Sequence, residues 1–241
     1  MEQRTPQWNS WRKDKIGGSD ASAILGCGFI SILELWGIKL GIRPPQEVTE
    51  AMQRGTDMEA EARACFESMR GIDMFPVCLT HPDYPWMIAS LDGICLDHTQ
   101  AVEIKCPGEK DHKEAKAGRV PAKYKPQLQH ILAVAGLKEI FYFSYRAGEG
   151  IILVHERDDA YISKLIEKEA EFMRCLEEGK RTLEAYEDKM DSIKEDLCRI
   201  IENDSIKVLG VTGGTDTDGE PISQVRNEAS SGEGRENSCH E

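Results

Sequence analysis

The chain has 241 residues, 40% of them hydrophobic and 30% charged, with a formal net charge of −13. That length suits one large domain or a domain with an appendage, and the composition excludes collagen-like, mucin-like and wholly disordered classes. No apolar run approaches the roughly 18 residues of a membrane span, and the opening MEQRTPQWNSWRKDK lacks the apolar stretch of a signal peptide, so an intracellular, cytoplasmic protein is expected.

In chain order, Ser19 or Asp20 can cap a short helix over Ala21–Leu25, and a second helix is predicted over Ser31–Leu40, closed by Gly41 and the Pro44–Pro45 break. From Thr49 to Arg70, Met58, Ala62, Cys65, Phe66 and Met69 recur at helical spacing, and Gly71 supplies the stop. Residues 74–80, 86–91, 101–105, 140–146 and 151–156 are short and rich in Val, Ile, Phe, Tyr and Leu, which predicts five strands. Between the third and fourth lies a helix over Pro121–Ala135, opened by proline. An amphipathic helix follows over 158–179, with Ile162, Leu165, Phe172 and Leu176 on one side. A charged helix over Thr182–Asn203 is weakly amphipathic through Leu183, Tyr186, Met190, Ile193 and Leu197. The expected architecture is α/β (α+β): a small mixed central sheet flanked by helices over 1–180, a charged helical extension over 181–209, and a disordered acidic tail over 210–241 rich in Gly, Ser, Thr and Glu.

The acid excess argues at first against nucleic acid as a partner, because phosphate binding rests on Lys and Arg. The distribution of charge points the other way. Residues 181–241 carry 7 Lys and Arg against 15 Asp and Glu, whereas Lys105, Lys110, Lys113, Lys116, Arg119, Lys123 and Lys125 outnumber the three acids between 105 and 125. Local fields steer ligands more than totals do. The eight cysteines form no CxxC or CxH pair, so reduced thiols are expected rather than a zinc or iron–sulfur site.

Four segments carry the chemistry. In Ala101–Pro107, alternation puts Val102 and Ile104 on one strand face and Glu103 and Lys105 on the other, although an isolated E-x-K is more often a solvated strand face. Eleven residues earlier, Asp92–Gly93 ends the run Ile88–Leu91; alone it would read as a hairpin turn. Together Asp92, Glu103 and Lys105 can converge as two carboxylates and an ammonium, and hard oxygen ligands of this kind suit Mg2+ or Mn2+. Glu59 and Arg63 share a helix face four residues apart, ordinarily a solvated salt pair. Tyr124, Lys125, Gln127, Gln129 and His130 interrupt the apolar stripe of the 121–135 helix.

Glu on a helix, Asp at a strand turn, Glu-x-Lys on a strand and Gln on a helix stand in the order of the PD-(D/E)xK nucleases. The chain resembles the lambda-exonuclease-like, YqaJ-type viral recombinases through RKDKIGGSDASAILG (12–26), RGTDMEAEARACFE (54–67), MIASLDGI (87–94), VEIKCP (102–107) and PAKYKPQLQH (121–130), a likeness spanning roughly residues 8–176. That resemblance implies a restriction-endonuclease-like core and two divalent ions, with Asp92, Glu103 and the Ile104 carbonyl as ligands and Glu59 holding the second ion. It implies that Lys105 orients or activates the attacking water, that Gln127 contacts the phosphate or the water, and that Arg12, Ser19 and Ser90 grip a terminal 5′-phosphate. The basic stretch Lys110, Lys113, Lys116, Arg119, Lys123, Tyr124 and Lys125 would hold the DNA backbone. Two departures stand out: the family's further acid before Ser-x-Asp has no counterpart in register, Asp83 being one residue off, and Leu91 replaces a common proline.

The activity so implied is 5′-to-3′ hydrolysis of linear double-stranded DNA, by a ring-shaped trimer acting beside a single-strand annealing protein in phage-type recombination. The alternatives are a structure-selective or site-specific endonuclease, which has no use for a terminal-phosphate pocket, and a DNA-end-binding module without cleavage, which has no need of paired carboxylates.

Overall fold

A computed structural model describes residues 1–210, and the chain divides into two compact units, Met1–Ala185 and one beginning at Tyr186. The tail expected over 210–241 lies outside the described residues beyond Gly210. No helix among the described residues is long and apolar enough to cross a membrane.

The first unit opens with α1 (Pro6–Lys13), α2 (Gly18–Ile24), α3 (Ile32–Leu40) and α4 (Glu50–Arg70), followed by β1 (Phe75–Thr80), β2 (Ile88–Ile94) and β3 (Ala101–Lys105). Then come α5 (Glu109–Lys116), a 3-10 turn (Ala122–Tyr124), α6 (Lys125–Ala135), β4 (Glu139–Arg146), β5 (Glu149–Glu156) and α7 (Asp159–Gly210). The strands lie in the order β1-β2-β3-β4-β5, all neighbours antiparallel except β3 and β4. This is the expected mixed sheet flanked by helices. The parallel step is made by the long crossover through α5 and α6, as a parallel pair requires.

Local chemistry explains most element ends. Ser31 and Thr49 cap α3 and α4, each accepting an N–H in the first turn at 3.2 Å. Gly41 and Gly71 end the same helices with positive φ, where a side chain would be strained. Two helices carry no signal in the sequence pattern. α1 is capped by Thr5 and primed by Pro6 but buries no residue, and α5 buries only His112 and Ala115, so neither carries an apolar period. α2 starts three residues before its expected onset: Gly17 is the cap, and Asp20 lies in the first turn with its carboxylate accepting the Gly17 N–H at 2.9 Å. The expected break near residue 180 is absent, and α7 runs unbroken through it.

Helices cover both faces of the sheet. On one, Leu128 and Leu132 of α6 pack with Ala89, Leu91 and Tyr142; on the other, Ala62 and Phe66 of α4 pack with Val102, Ile104, Phe141 and Phe143. The polar face expected for β3 is therefore not solvated. Glu103 is 2% exposed. Nor does Asp92–Gly93 form a turn; both residues continue β2 to Ile94. Glycine is required there because a Cβ at 93 would lie 2.7 Å from Met74 and 3.0 Å from Val102.

Candidate active site

The β2–β3 ladder ends at the pair Gly93–Val102, and beyond it the two strands part. The Asp92 carboxylate enters the gap, where its Oδ2 accepts the Ile104 N–H at 2.8 Å. A backbone donor freed by the parting strands is thereby satisfied, and the acid is fixed beside Glu103. Glu103 lies on the α6 side of β3, where its Oε1 accepts from Lys105 Nζ at 2.7 Å and from Gln127 Nε2 at 2.5 Å. Its other oxygen, Oε2, is buried without a hydrogen-bond partner among the described residues.

Glu59 approaches from α4, held by Arg63 at 2.7 Å and by Arg4. The same Arg63 donates to the Asp92 carbonyl at 2.7 Å, so the pair that reads as an ordinary helix salt bridge ties α4 to β2. Burial, then the Glu103 and Glu59 carboxylates, push the Asp92 carboxyl well above the usual carboxylate range, against the pull of Lys105. Burial also disfavours the Lys105 ammonium, but Glu103 and Asp92 outweigh it and hold that pKa above the ordinary lysine value. Lys105 is accordingly a fixed cation. The neighbouring Cys106 thiol is pushed up to about 11 by burial and the Glu59 and Asp92 charges, which keeps it protonated and a poor nucleophile near neutrality.

These residues line one cleft of about 550 Å3, together with Arg12, Ser19 and Ser90. Arg12 donates to Ser19 Oγ at 3.0 Å, and Trp8 Nε1 donates to Ser90 Oγ at 2.8 Å. The Arg12 guanidinium stands 4.3 Å from the centre of the Trp8 ring. Arg12, Ser19, Ser90 and Gln127 also bound a recess of about 60 Å3. α2 reaches β2 because Ile16 pairs with Met87: Ile16 N–H donates to the Trp86 carbonyl at 2.8 Å, and Ile88 N–H donates to the Ile16 carbonyl at 2.9 Å.

The basic stretch is not gathered as a unit. Lys123 and Tyr124 line the cleft, whereas Lys110, Lys113, Lys116, Arg119 and Lys125 do not. Lys113 pairs with Glu109, Lys116 with Glu149 and Lys125 with Asp158, at 2.7, 2.9 and 3.2 Å. Even Lys123 is bound, 2.6 Å from Asp111. Asp83 also lies off the cleft, in the loop before β2.

Four supporting groups have no clear sequence signature. Lys39 bonds Asp20 at 2.9 Å and donates to the carbonyls of Arg12 and Lys15 at 3.1 and 2.7 Å, tying the end of α1 to the start of α2. His130, fully buried on α6, bonds Glu169 Oε1 at 2.7 Å and the Ile88 carbonyl at 2.8 Å. A carboxylate and a carbonyl both accept, so the protonated ring satisfies both contacts at once. A polar residue inside an apolar helix stripe was the available signal for His130; for Lys39 the signal was a cation on the apolar side of α3.

For a divalent ion the donor set fits in kind: two hard carboxylates, a main-chain carbonyl at Ile104, and one carboxylate oxygen buried and unpartnered. Among the described residues no three Asp, Glu, His or Cys side chains form a ready cage. The third carboxylate, Glu59, is engaged by Arg4 and Arg63.

Residues 7–138 match the model of the YqaJ-like viral recombinase domain. The protein YqaJ of Bacillus subtilis strain 168 is 30% identical over 178 residues, which are 71% of this chain; the chain thus spans about half (56%) of that relative's length. The alkaline exonuclease LHK-Exo of Laribacter hongkongensis is 28% identical, covers 77% of this chain and 100% of its own, and superposes with a TM-score of 0.66, or 0.67 in its complex with dAMP. A phage-related exonuclease of Haemophilus somnus 129PT, 14% identical over 71% of this chain and 96% of its own, shares the fold with a TM-score of 0.51.

Proposed function

The chain belongs to the YqaJ-like viral recombinase family, and from that premise we propose that it is a divalent-metal-dependent DNA exonuclease that hydrolyses linear duplexes from the 5′ end. The observation that carries this reading is the buried, unpartnered Oε2 of Glu103 beside Asp92, in one cleft with Arg12, Ser19 and Ser90. A carboxylate oxygen left unsatisfied in the interior costs about 1–3 kcal/mol or more, which a ligand would recover. Similarity to LHK-Exo, described as an alkaline exonuclease and solved with dAMP, points the same way.

Asp92, Glu103 and the Ile104 carbonyl would hold Mg2+ or Mn2+, with Glu59 available to a second ion once released from Arg4 and Arg63. Bound there, such ions acidify a water and supply positive charge to the phosphate. Without metal Lys105 is held protonated by Glu103 and Asp92, and as a cation it would stabilise negative charge on the phosphate and orient the attacking water. Gln127 fixes the Glu103 rotamer through Oε1, leaving Oε2 for the ligand. Arg12 offers a planar pair of donors, and with Ser19 and Ser90 it would clamp a terminal 5′-phosphate, setting the register of cleavage. The trimeric ring and a single-strand annealing partner belong to the same proposal.

The test is degradation of end-labelled linear duplexes, 5′-phosphorylated or not, with Mg2+ or EDTA. Metal-dependent release of 5′ nucleotides, faster with the 5′-phosphate, is expected. Cutting of closed circles would favour the endonuclease, and binding without cleavage would favour the accessory module.

A further inference from the structure

Near the start of α7, Ile162, Leu165, Phe172 and Leu176 lie along one face, and ten residues further on Tyr186, Met190, Ile193, Leu197 and Ile200 recur at alternating steps of four and three. The first four are buried in the core of the first unit. The last five, all in the second unit, are between 43% and 64% exposed. A run of large apolar side chains at heptad spacing on an otherwise charged helix marks an interface.

The flanking charges say what covers it. Glu187 and Lys194 border the stripe on one side, Lys189 and Asp196 on the other; in the single chain Lys194 bonds Asp191 at 2.8 Å and Asp196 bonds Arg199 at 3.1 Å, exposed pairs that a second copy would have to replace. In a parallel, in-register pair Lys189 would face Lys194 of the second copy, like against like. In an antiparallel pair with Met190 opposite Ile193 of the second copy, Glu187 faces the second copy's Lys194, and Lys189 faces its Asp196. Two-fold symmetry repeats each contact, giving four opposite-charge pairs along one apolar seam. We infer that residues 186–200 of α7 form an antiparallel two-helix seam with a second copy of this chain. The seam is independent of the nuclease reading, since none of its residues lines the cleft, and beside the proposed trimeric ring its two-fold contact would join one ring to another rather than close a ring.

Sedimentation analysis of the full chain over a range of concentrations tests this. Met190→Glu with Ile193→Glu should weaken association at least about tenfold while the thermal unfolding of the first unit is unchanged, because both residues are exposed in the single chain. Lys194→Glu alone should weaken association, and Glu187→Lys combined with Lys194→Glu should restore it. The parallel arrangement makes the opposite prediction for Lys194→Glu, which would then relieve Lys189 and tighten the pair. Tightening by Lys194→Glu, a chain that stays monomeric, or an oligomer whose mass ignores the Met190→Glu/Ile193→Glu change would each overturn the inference.

Discussion

Two walls of one cleft are built by opposite means. Asp92, Glu103 and Lys105 stand on adjacent strands between two helical layers, Glu103 almost sealed from water and the other two half-buried, and one carboxylate oxygen of Glu103 is left without a partner. Arg12 and Ser19 stand at the end of one short helix and the start of another, open to the cleft, and bond to each other. Strands hold groups to within fractions of an ångström, which suits charge placed against a reacting phosphate; a helix junction can adjust, which suits recognition of a chain end. The strand wall therefore stores unfavourable charge that a cation would relieve, whereas in the helix wall a ligand would have to replace the bond between Arg12 and Ser19.

The largest effect should come from the strand wall. Lys105→Ala or Glu103→Gln should lower the rate of DNA hydrolysis by about 10²–10³ with binding of duplex ends largely kept, the scale of losing one preorganised charge. Single-turnover assays with separate binding measurements check this. A loss confined to binding would show that Lys105 and Glu103 act before chemistry.

The next effect tests what holds the helix wall. Asp20→Asn leaves Lys39 buried without its ion partner and should destabilise the fold by about 3 kcal/mol, the low end for a broken buried pair because neither side chain is fully sealed. Burial disfavours the Asp20 carboxylate, but Lys39, Arg12 and the Gly17 N–H outweigh it and hold its pKa below the ordinary value. That stability is present at neutral pH and is lost as the pH falls through the lowered value. Urea unfolding at pH 7 and below pH 4 should show the variant's deficit shrinking in acid.

Metal should distinguish the walls directly. Excess Mg2+ or Mn2+ should raise the unfolding temperature of the wild-type chain, since 100-fold excess over Kd contributes about 2.7 kcal/mol. Glu103→Gln should abolish the rise, and Arg12→Ala should leave it intact. Conversely, Arg12→Ala should reduce the preference for 5′-phosphorylated over unphosphorylated ends by about tenfold, the scale of one charge-assisted hydrogen bond. If Arg12→Ala slowed both substrates equally, the 60 Å3 recess would not be the end-phosphate anchor.

The strand wall was the more legible in the sequence. Glu-x-Lys and the preceding Asp-Gly keep recognisable spacing because a strand and its neighbour fix the distance between their side chains. What hid was burial: period two predicts which residues share a face, but not that α6 would cover that face and seal Glu103. The surroundings of the basic stretch were illegible for the converse reason. Composition counts charges without their partners, and Glu149 and Asp158, distant in sequence, engage Lys116 and Lys125. Two of the three partners of Lys39 were illegible because they are backbone carbonyls, which no residue type announces.

The smallest predicted effect concerns the pillar between the walls. His130 joins α6, which carries Gln127, to β2, which carries Ser90 and Asp92, and to Glu169 on α7. Burial disfavours its charged form, but the Glu169 carboxylate and the Ile88 carbonyl outweigh that and raise its pKa above the ordinary 6.5. A raised native value means the folded chain binds the proton more tightly than the unfolded chain does. The contribution is thus complete below pH 6.5 and is lost as the pH climbs through the raised value, so stability declines on the alkaline side. Replacing the pair with His130→Leu and Glu169→Leu keeps apolar volume without leaving an unpaired charge, and should cost little at pH 8. The double variant should also flatten the pH dependence of unfolding above neutrality; an unchanged slope would place the titrating group elsewhere and leave His130 as packing alone.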